Sequence, residues 1–240
     1  GLNADVQYFR RVVKNMAKLT GQDLVQSYDM IDATQNLDSY AVVSGITKNC
    51  AVNLSKMSND LRLMSSGPKT GFGEINLPAK QNGSSIMPGK VNPVIPEVVN
   101  QVCFNIIGND VTITMAAEAG QLELNAFEPI IFYKLFQSIE TLAFAVKTLV
   151  DNCIVGITAN AEHCRWLVEN SVGIITAICP YVGYEKAAEI AKEALRTNQP
   201  VRKLILEKGI MDEEHLNNIL DPYHMTEPGI PGKDPMDALK

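Results

Sequence analysis

Residues 83–93 read Gly-Ser-Ser-Ile-Met-Pro-Gly-Lys-Val-Asn-Pro, and no other stretch of the chain concentrates so much chemistry. Ser84 and Ser85 offer hydroxyls, Lys90 a cation and Asn92 a carboxamide. Lys90 and Asn92 stand just ahead of a predicted helix start at Pro93 or Pro96. Free N–H groups and the positive end of the helix macrodipole favour an anion there, so an ammonium and an amide beside them suit a carboxylate. Gly83 and Gly89 permit unusual backbone angles around Ile86, Met87 and Pro88, so the segment can act as a flexible loop that folds over a substrate. On spacing alone, a structural Gly/Ser/Pro loop with a solvent-facing lysine stays an open alternative.

The phosphate-binding pattern Gly-x-x-x-x-Gly-Lys-Ser/Thr is a false match here. Five residues separate Gly83 from Gly89, Val91 replaces the magnesium-binding hydroxyl, and no apolar strand precedes the loop.

The elements that must position this loop are helical. Val6, Phe9, Val13, Met16 and Ala17 mark one face of a first helix that stops before Gly21. Residues 22–35 read as irregular. From Asp38 to Ser65, Val42, Ile46, Cys50, Leu54, Met57, Leu61 and Met64 recur at helical spacing until Gly67-Pro68 ends the run. A loop over 67–92 follows, longer than the roughly 12–15 residues at which a connection becomes suspect and is usually functional or disordered. Helical pattern resumes to about Ala119, breaks from Gly120 to Pro129, and returns from Ile130 to Cys153. Helices this long reach roughly 40 Å and carry apolar residues around much of their circumference, which predicts an all-α, long-helix bundle extended by other subunits. Shorter helices are expected near 160–170, 172–178, 184–197, 200–208 and 212–220, with Asp212 as a good N-cap. The domain boundary is placed at 157: a bundle domain 1–157 that includes loop 67–92, then a small helical domain 158–240 whose tail after Asp221 is extended.

Composition narrows the function classes. With 240 residues, 46% hydrophobic and 20% charged, the chain can bury a sizeable core. A net charge of −6 argues against nucleic acid as main partner. Cys50, Cys103, Cys153, Cys164 and Cys179 are odd in number and widely spaced, which fits reduced thiols in a cytoplasmic protein. They and His163, His215 and His224 lack zinc-ligand spacing, so no metal site is expected. No uninterrupted apolar run reaches the roughly 18 residues of a membrane span, and no membrane partner is expected.

Gly83 through Pro93, in register, resembles the signature of the aspartase/fumarase superfamily. The similarity extends over essentially the whole chain, including Asn59-Asp60-Leu61-Arg62-Leu63-Met64-Ser65-Ser66-Gly67-Pro68 and Glu74-Ile75-Asn76-Leu77-Pro78, and Met115 to Leu122 is similar to the superfamily's aspartases. Gly108-Asn109-Asp110, Val168-Glu169-Asn170-Ser171 and Asp221-Pro222-Tyr223 are similar to the superfamily's aspartases. Class II fumarases share the loop, and Gly183 to Ala188 resembles theirs, which keeps fumarate hydratase as the alternative.

The resemblance implies a carbon–nitrogen lyase that removes ammonia from L-aspartate reversibly, by anti-elimination through an enediolate, to give fumarate. It implies Ser84 as base, Ser85 as a substrate-contacting neighbour, and Lys90 and Asn92 as carboxylate holders. It implies no required cofactor; an activating divalent cation is left open, with no ligand pattern here to hold one. From its place on the long helix, Arg62 is expected to be solvated or to bridge the bundle, with electrostatic support of the loop as the alternative. Superfamily members are about twice this length and build each site from three subunits of a homotetramer. The present sequence matches from the second half of the central helical domain onward, so it is expected to be inactive alone, and by itself to act as a helical self-association module.

Overall fold

Small residues at heptad spacing set the central packing. In the computed structural model, which describes residues 3–67, 69–83 and 85–231, α1 (Val6–Thr20) and the short α2 (Asp32–Gln35) precede three long helices. These are α3 (Asp38–Met64), α4 (Val94–Glu118) and α5 (Glu128–Leu149), the last continuing into a π turn at Val150–Ile154. The face of α3 turned inward carries Ser44, Ala51, Ser55, Ser58 and Leu61. Their small side chains let α4 approach closely, and α4 answers with Val99, Asn100, Cys103, Ile106, Asp110 and Ile113.

Polar clasps fix the register of the pair. Ser44 Oγ donates to Asp110 Oδ1 at 2.7 Å, and Lys48 Nζ reaches Asp110 Oδ2 at 2.5 Å. Buried Asn100 donates to Ser55 O and Oγ at 3.1 and 2.9 Å, while Arg62 Nη1 lies 3.3 Å from Asn100 Oδ1. Arg62 therefore bridges α3 and α4. On the other side of α4, Asn109 donates to Ser138 of α5 at 3.0 Å.

Ser58 Oγ is fully buried in this stripe without a hydrogen-bond partner among the described residues. A buried unpaired hydroxyl carries a desolvation penalty that a methyl group of similar size does not. Ser58→Ala is expected to stabilise the chain by about 1 kcal/mol, measured as a rise in urea midpoint at constant m.

The turn from α4 to α5 is built around Asn125. Its Nδ2 donates to Ala116 O and Ala117 O at 3.0 and 3.2 Å, and its Oδ1 accepts Phe127 N–H at 2.8 Å. Leu37, Ile113, Ala116, Ile131 and Leu135 close a core beside it.

The apolar pattern of α3 is not what the helix buries. Val42, Ile46 and Met57 are 61%, 64% and 49% exposed, as are Phe104 of α4 at 59% and Phe136 and Phe144 of α5 at 64% and 65%. Glu128–Ile154 is also apolar and long enough, by length and composition, to cross a membrane. Lys134, Glu140, Lys147 and Asp151 interrupt it, which is why no continuous apolar run is seen in the sequence.

The chain divides into two units, Gly1–Met64 with Leu77–Ile157, and Ser65–Asn76 with Thr158–Lys240. The first part of loop 67–92 thus belongs with the C-terminal unit, not with the bundle as expected. The cause is strand pairing: β1 (Ile75–Asn76) lies antiparallel to β2 (Thr158–Ala159), with Ile75 opposite Ala159 and Asn76 opposite Thr158.

The C-terminal unit holds α6 (Ala161–Asn170), a 3-10 turn at Val172–Ile174, α7 (Ile175–Val182), α8 (Tyr184–Thr197), α9 (Val201–Glu207), α10 (Glu213–Ile219) and α11 (Pro222–Thr226). Its core gathers Ile174, Ile178, Ile190, Ala194, Val201, Leu204, Ile205, Leu216 and Ile219. The tail is not simply extended: Asp221 Oδ1 accepts Tyr223 N–H and Pro222 opens the turn, so a helix forms where the proline-rich composition pointed to coil.

Asp212 caps α10 by accepting His215 N–H at 2.8 Å, and that bond holds its carboxyl below the ordinary aspartate range. A depressed carboxyl stabilises the fold above its unfolded pKa, and the contribution disappears as pH falls through the folded value. The difference in melting temperature between the parent and Asp212→Ala is therefore expected to be full at neutral pH and to shrink on acidification below the usual aspartate pKa.

Candidate active site

Two backbone arms meet at the base of the Gly-Ser-Ser loop. Gly83 has φ +77°, and a Cβ there would lie 2.6 Å from Lys90 O, so only glycine permits this approach. Gly89 has φ +84°, and Lys90 N–H donates to Met87 O at 3.1 Å, closing the far side of the loop. Between them Ser85, Ile86, Met87 and Pro88 are exposed. Ser84 lies outside the described residues.

The lysine arm runs straight into α4. Val94 N–H donates to Asn92 O at 2.9 Å and Glu97 N–H to Pro93 O at 3.2 Å. Pro93 occupies the N-cap position without a capping side chain, and Pro96 sits in the first turn, where its missing N–H breaks no intrahelical bond. Asn92 is half-buried and Lys90 exposed, both just ahead of the helix N-terminus. Gly83, Ser85, Lys90 and Asn92 are thus on one closed loop, with the backbones of Gly83 and Lys90 in direct contact.

The serine arm has a different anchor. Asn160 Nδ2 donates to Gly73 O at 2.7 Å, Asn160 N–H to Glu74 O at 2.9 Å, and Asn76 Nδ2 to Asn160 Oδ1 at 2.7 Å. His163 Nε2 pairs with Phe72 O at 2.8 Å. The segment is also closed on itself, since Gly73 N–H donates to Ser66 O at 2.8 Å and Phe72 N–H to Ser66 Oγ at 3.0 Å. Asn76 and Asn160 were not singled out from sequence. Their contact spans 84 residues, and local periodicity carries no signal for it.

Among the described residues no group of three or more His, Cys, Asp or Glu side chains is placed to hold a metal ion. What the loop offers is hydroxyl, ammonium and amide beside a helix start, a set suited to a carboxylate substrate and to negative charge that builds on it.

Comparison with known proteins assigns this arrangement to a family. A family model described as Lyase matches residues 1–108, and one described as Fumarase C C-terminus matches residues 174–227. An aspartate ammonia-lyase from a Bacillus species is 54% identical over 233 residues, covering 97% of this chain and 50% of the relative. That of Bacillus subtilis (strain 168) is 53% identical, covering 98% and 49%. Among solved structures, a fumarate lyase:delta crystallin from Brucella melitensis is 49% identical with a TM-score of 0.87, covering 95% of this chain and 49% of that one. The chain spans about half the length of the curated relatives it matches. With the signature loop ahead of α4 and helical similarity along nearly its whole length, the chain belongs to the aspartase/fumarase superfamily.

Proposed function

We propose that this chain carries the loop-bearing part of a lyase that converts L-aspartate to fumarate and ammonia. The observation that carries the reading is the 54% identity to an aspartate ammonia-lyase across 97% of the chain, with the Gly83–Pro93 loop inside the match. A class II fumarase from Schistosoma mansoni is a more distant neighbour, at 31% identity and a TM-score of 0.84. Fumarate hydration is accordingly the second reading.

The chemistry makes specific demands. The proton to be removed sits on the carbon next to the β-carboxylate and is very weakly acidic. Its loss places a second negative charge on that carboxylate as an enediolate. The electron pair then forms the double bond while the C–N bond breaks and ammonia leaves. Ser84 takes the proton, Ser85 contacts the substrate, and Lys90 and Asn92 hold carboxylate and offset the developing charge. Gly83, Ile86, Met87, Pro88 and Gly89 shape the loop that closes over them. Water must be excluded for these charges to act strongly, yet Ser85 and Lys90 are exposed in this chain.

Completion therefore comes from further groups. The unpaired apolar ridges of α3, α4 and α5 serve assembly, into the homotetramer expected of the superfamily. For the 240-residue chain alone we expect self-association without catalysis in the cytoplasm. Size measurement in solution checks the first part, and a monodisperse monomer would contradict it.

The deciding assay uses this chain joined behind the N-terminal half of the Bacillus subtilis relative. Absorbance of fumarate should rise with L-aspartate and stay flat with L-malate. The reverse preference would establish the fumarase reading instead. Lys90→Met in the same joined protein is expected to raise KM at least about tenfold, because a charge-assisted hydrogen bond to carboxylate is worth roughly 1.5–3 kcal/mol. Unchanged saturation kinetics would remove Lys90 from substrate binding.

A further inference from the structure

We infer that Asn100 is a positioning residue for Asn92, holding the start of α4 in register on α3 so that the Asn92 carboxamide stays where a carboxylate can reach it; this rests on the lyase reading of residues 83–93. All the residues concerned lie in one unit, Gly1–Met64 with Leu77–Ile157. The start of α4 has no side-chain cap. Its N-cap position is Pro93, and residues 85–91 ahead of it are exposed. Asn92 is tied to the helix itself, because its O accepts Val94 N–H at 2.9 Å. Wherever the first turn of α4 goes, Asn92 goes with it.

That turn must be held by α3. Pro96 and Val99 are buried there, but the facing stripe of α3 is Ser44, Ala51, Ser55, Ser58 and Leu61, mostly small side chains with little relief to resist sliding. Hydrogen bonds supply the register, and they do so at two levels. Far from the loop, Asp110 accepts from Ser44 and pairs with Lys48. Near the loop, Asn100 is 2% exposed and uses both ends of its carboxamide across the interface. Its Nδ2 donates to Ser55 O and Oγ, and its Oδ1 accepts from Arg62. At roughly 1.5 Å per residue, Asn100 lies about 9 Å along α4 from Val94 and about 15 Å from Asp110. A buried carboxamide of this kind penalises every register that leaves it unpaired, as a polar residue does in an apolar helix seam.

Removing the near level has a local consequence. With the Asp110 level intact, α4 stays packed on α3, while its first two turns lose the bonds that set their place. Asn92 then drifts from the carboxylate it holds, which weakens substrate binding. A hydrogen bond to a charged group is worth about tenfold or more in affinity, so misplacing one should raise KM by about three- to tenfold. The change in kcat should be smaller, because the proposed base Ser84 does not ride on α4. A residue that served only to stabilise the bundle would lower the melting temperature and leave KM alone.

The test has two arms. In the joined protein, Asn100→Ala is expected to raise KM for L-aspartate about three- to tenfold with kcat within about threefold. Ser55→Ala removes one of the three bonds and should raise KM by less, about twofold. Ser44→Ala, at the far level, should lower the melting temperature and leave KM parental. In an Asn92→Ala background, Asn100→Ala should shift KM by no more than about twofold, because the group it positions is already gone. In the 240-residue chain itself, hydrogen exchange of the amides of residues 97–102 should quicken in Asn100→Ala while residues 106–116 stay protected. A parental KM in Asn100→Ala, a KM raised as much by Ser44→Ala, or Asn92 and Asn100 effects that simply multiply overturns the positioning role and leaves the lyase reading standing. Should Asn100→Ala not fold, Ser55→Ala decides, and a KM no higher than that of Ser44→Ala overturns the role. If the unmodified joined protein turns over neither L-aspartate nor L-malate, the lyase reading falls, and unchanged exchange at residues 97–102 would overturn the Asn100 clasp independently.

Discussion

Ser84→Ala in the joined protein is expected to lower kcat for fumarate formation by about 10²–10⁴-fold while leaving helical content and melting temperature unchanged. A positioned proton acceptor contributes that range, and residues 83–93 contain no carboxylate or imidazole to substitute for it. A serine hydroxyl is a poor base at neutral pH, so its alkoxide must be held by donors and a nearby cation in a site closed to water. Lys90 supplies a cation on the same loop, and the glycine-bounded backbone can supply N–H donors. Residues 85–90 beside it are exposed, which is why stability should not move. Ser85→Ala separates the two hydroxyls: with a neighbour that only contacts substrate, it should cost about tenfold or less. Retained turnover in Ser84→Ala, or equal losses for the two serines, would exclude Ser84 as the base.

Much of the architecture was legible because helix signals are local. Gly21 ends α1, Gly67 follows α3, and Asp212 caps α10 as their types require. The packing was legible only in part. Periodicity in α3 picks out Val42, Ile46, Met57 and Leu61, yet of these only Leu61 is buried, while Ser44, Ser55 and Ser58 line the contact with α4. Apolarity marks which residues seek cover, not which neighbour provides it, and close helix approach favours small side chains whatever their polarity. The exposed ridge is the same signal left uncovered within this chain.

The candidate site divides along the same line. Gly83, Ser85, Lys90 and Asn92 fall within one short stretch of sequence, so their association was readable from order alone. Asn76 and Asn160 are brought together by strand pairing between segments 84 residues apart, and neither residue type announces it. The Asp221-Pro222 cap was also readable, as a capping side chain followed by a proline fit for a first turn, but the surrounding prolines and glycines masked it. The closed backbone of the loop, by contrast, uses positive φ at Gly83 and Gly89, two residue types already visible in the sequence.

Gly83→Ala is expected to lower kcat/KM of the joined protein by about 100-fold, since a shift of about 1 Å in reacting groups costs on that order. Two effects add at this position. The φ of +77° is unfavourable for any residue with a Cβ, and that Cβ would stand 2.6 Å from Lys90 O, a backbone atom that cannot swing aside. Relief requires the backbone at Gly83 and at Lys90 to separate, which on the proposed lyase reading distorts the loop that carries the base and the cation. Gly89→Ala is the matching control: its φ of +84° carries a similar backbone cost, but nothing lies within 4 Å of the added methyl. It should therefore lose several-fold less activity than Gly83→Ala, with both variants melting close to the parent because the loop is exposed. Equal losses would mean that backbone strain alone matters, and a Gly83→Ala protein with parental kinetics would show that contact between the two arms is not needed for the chemistry.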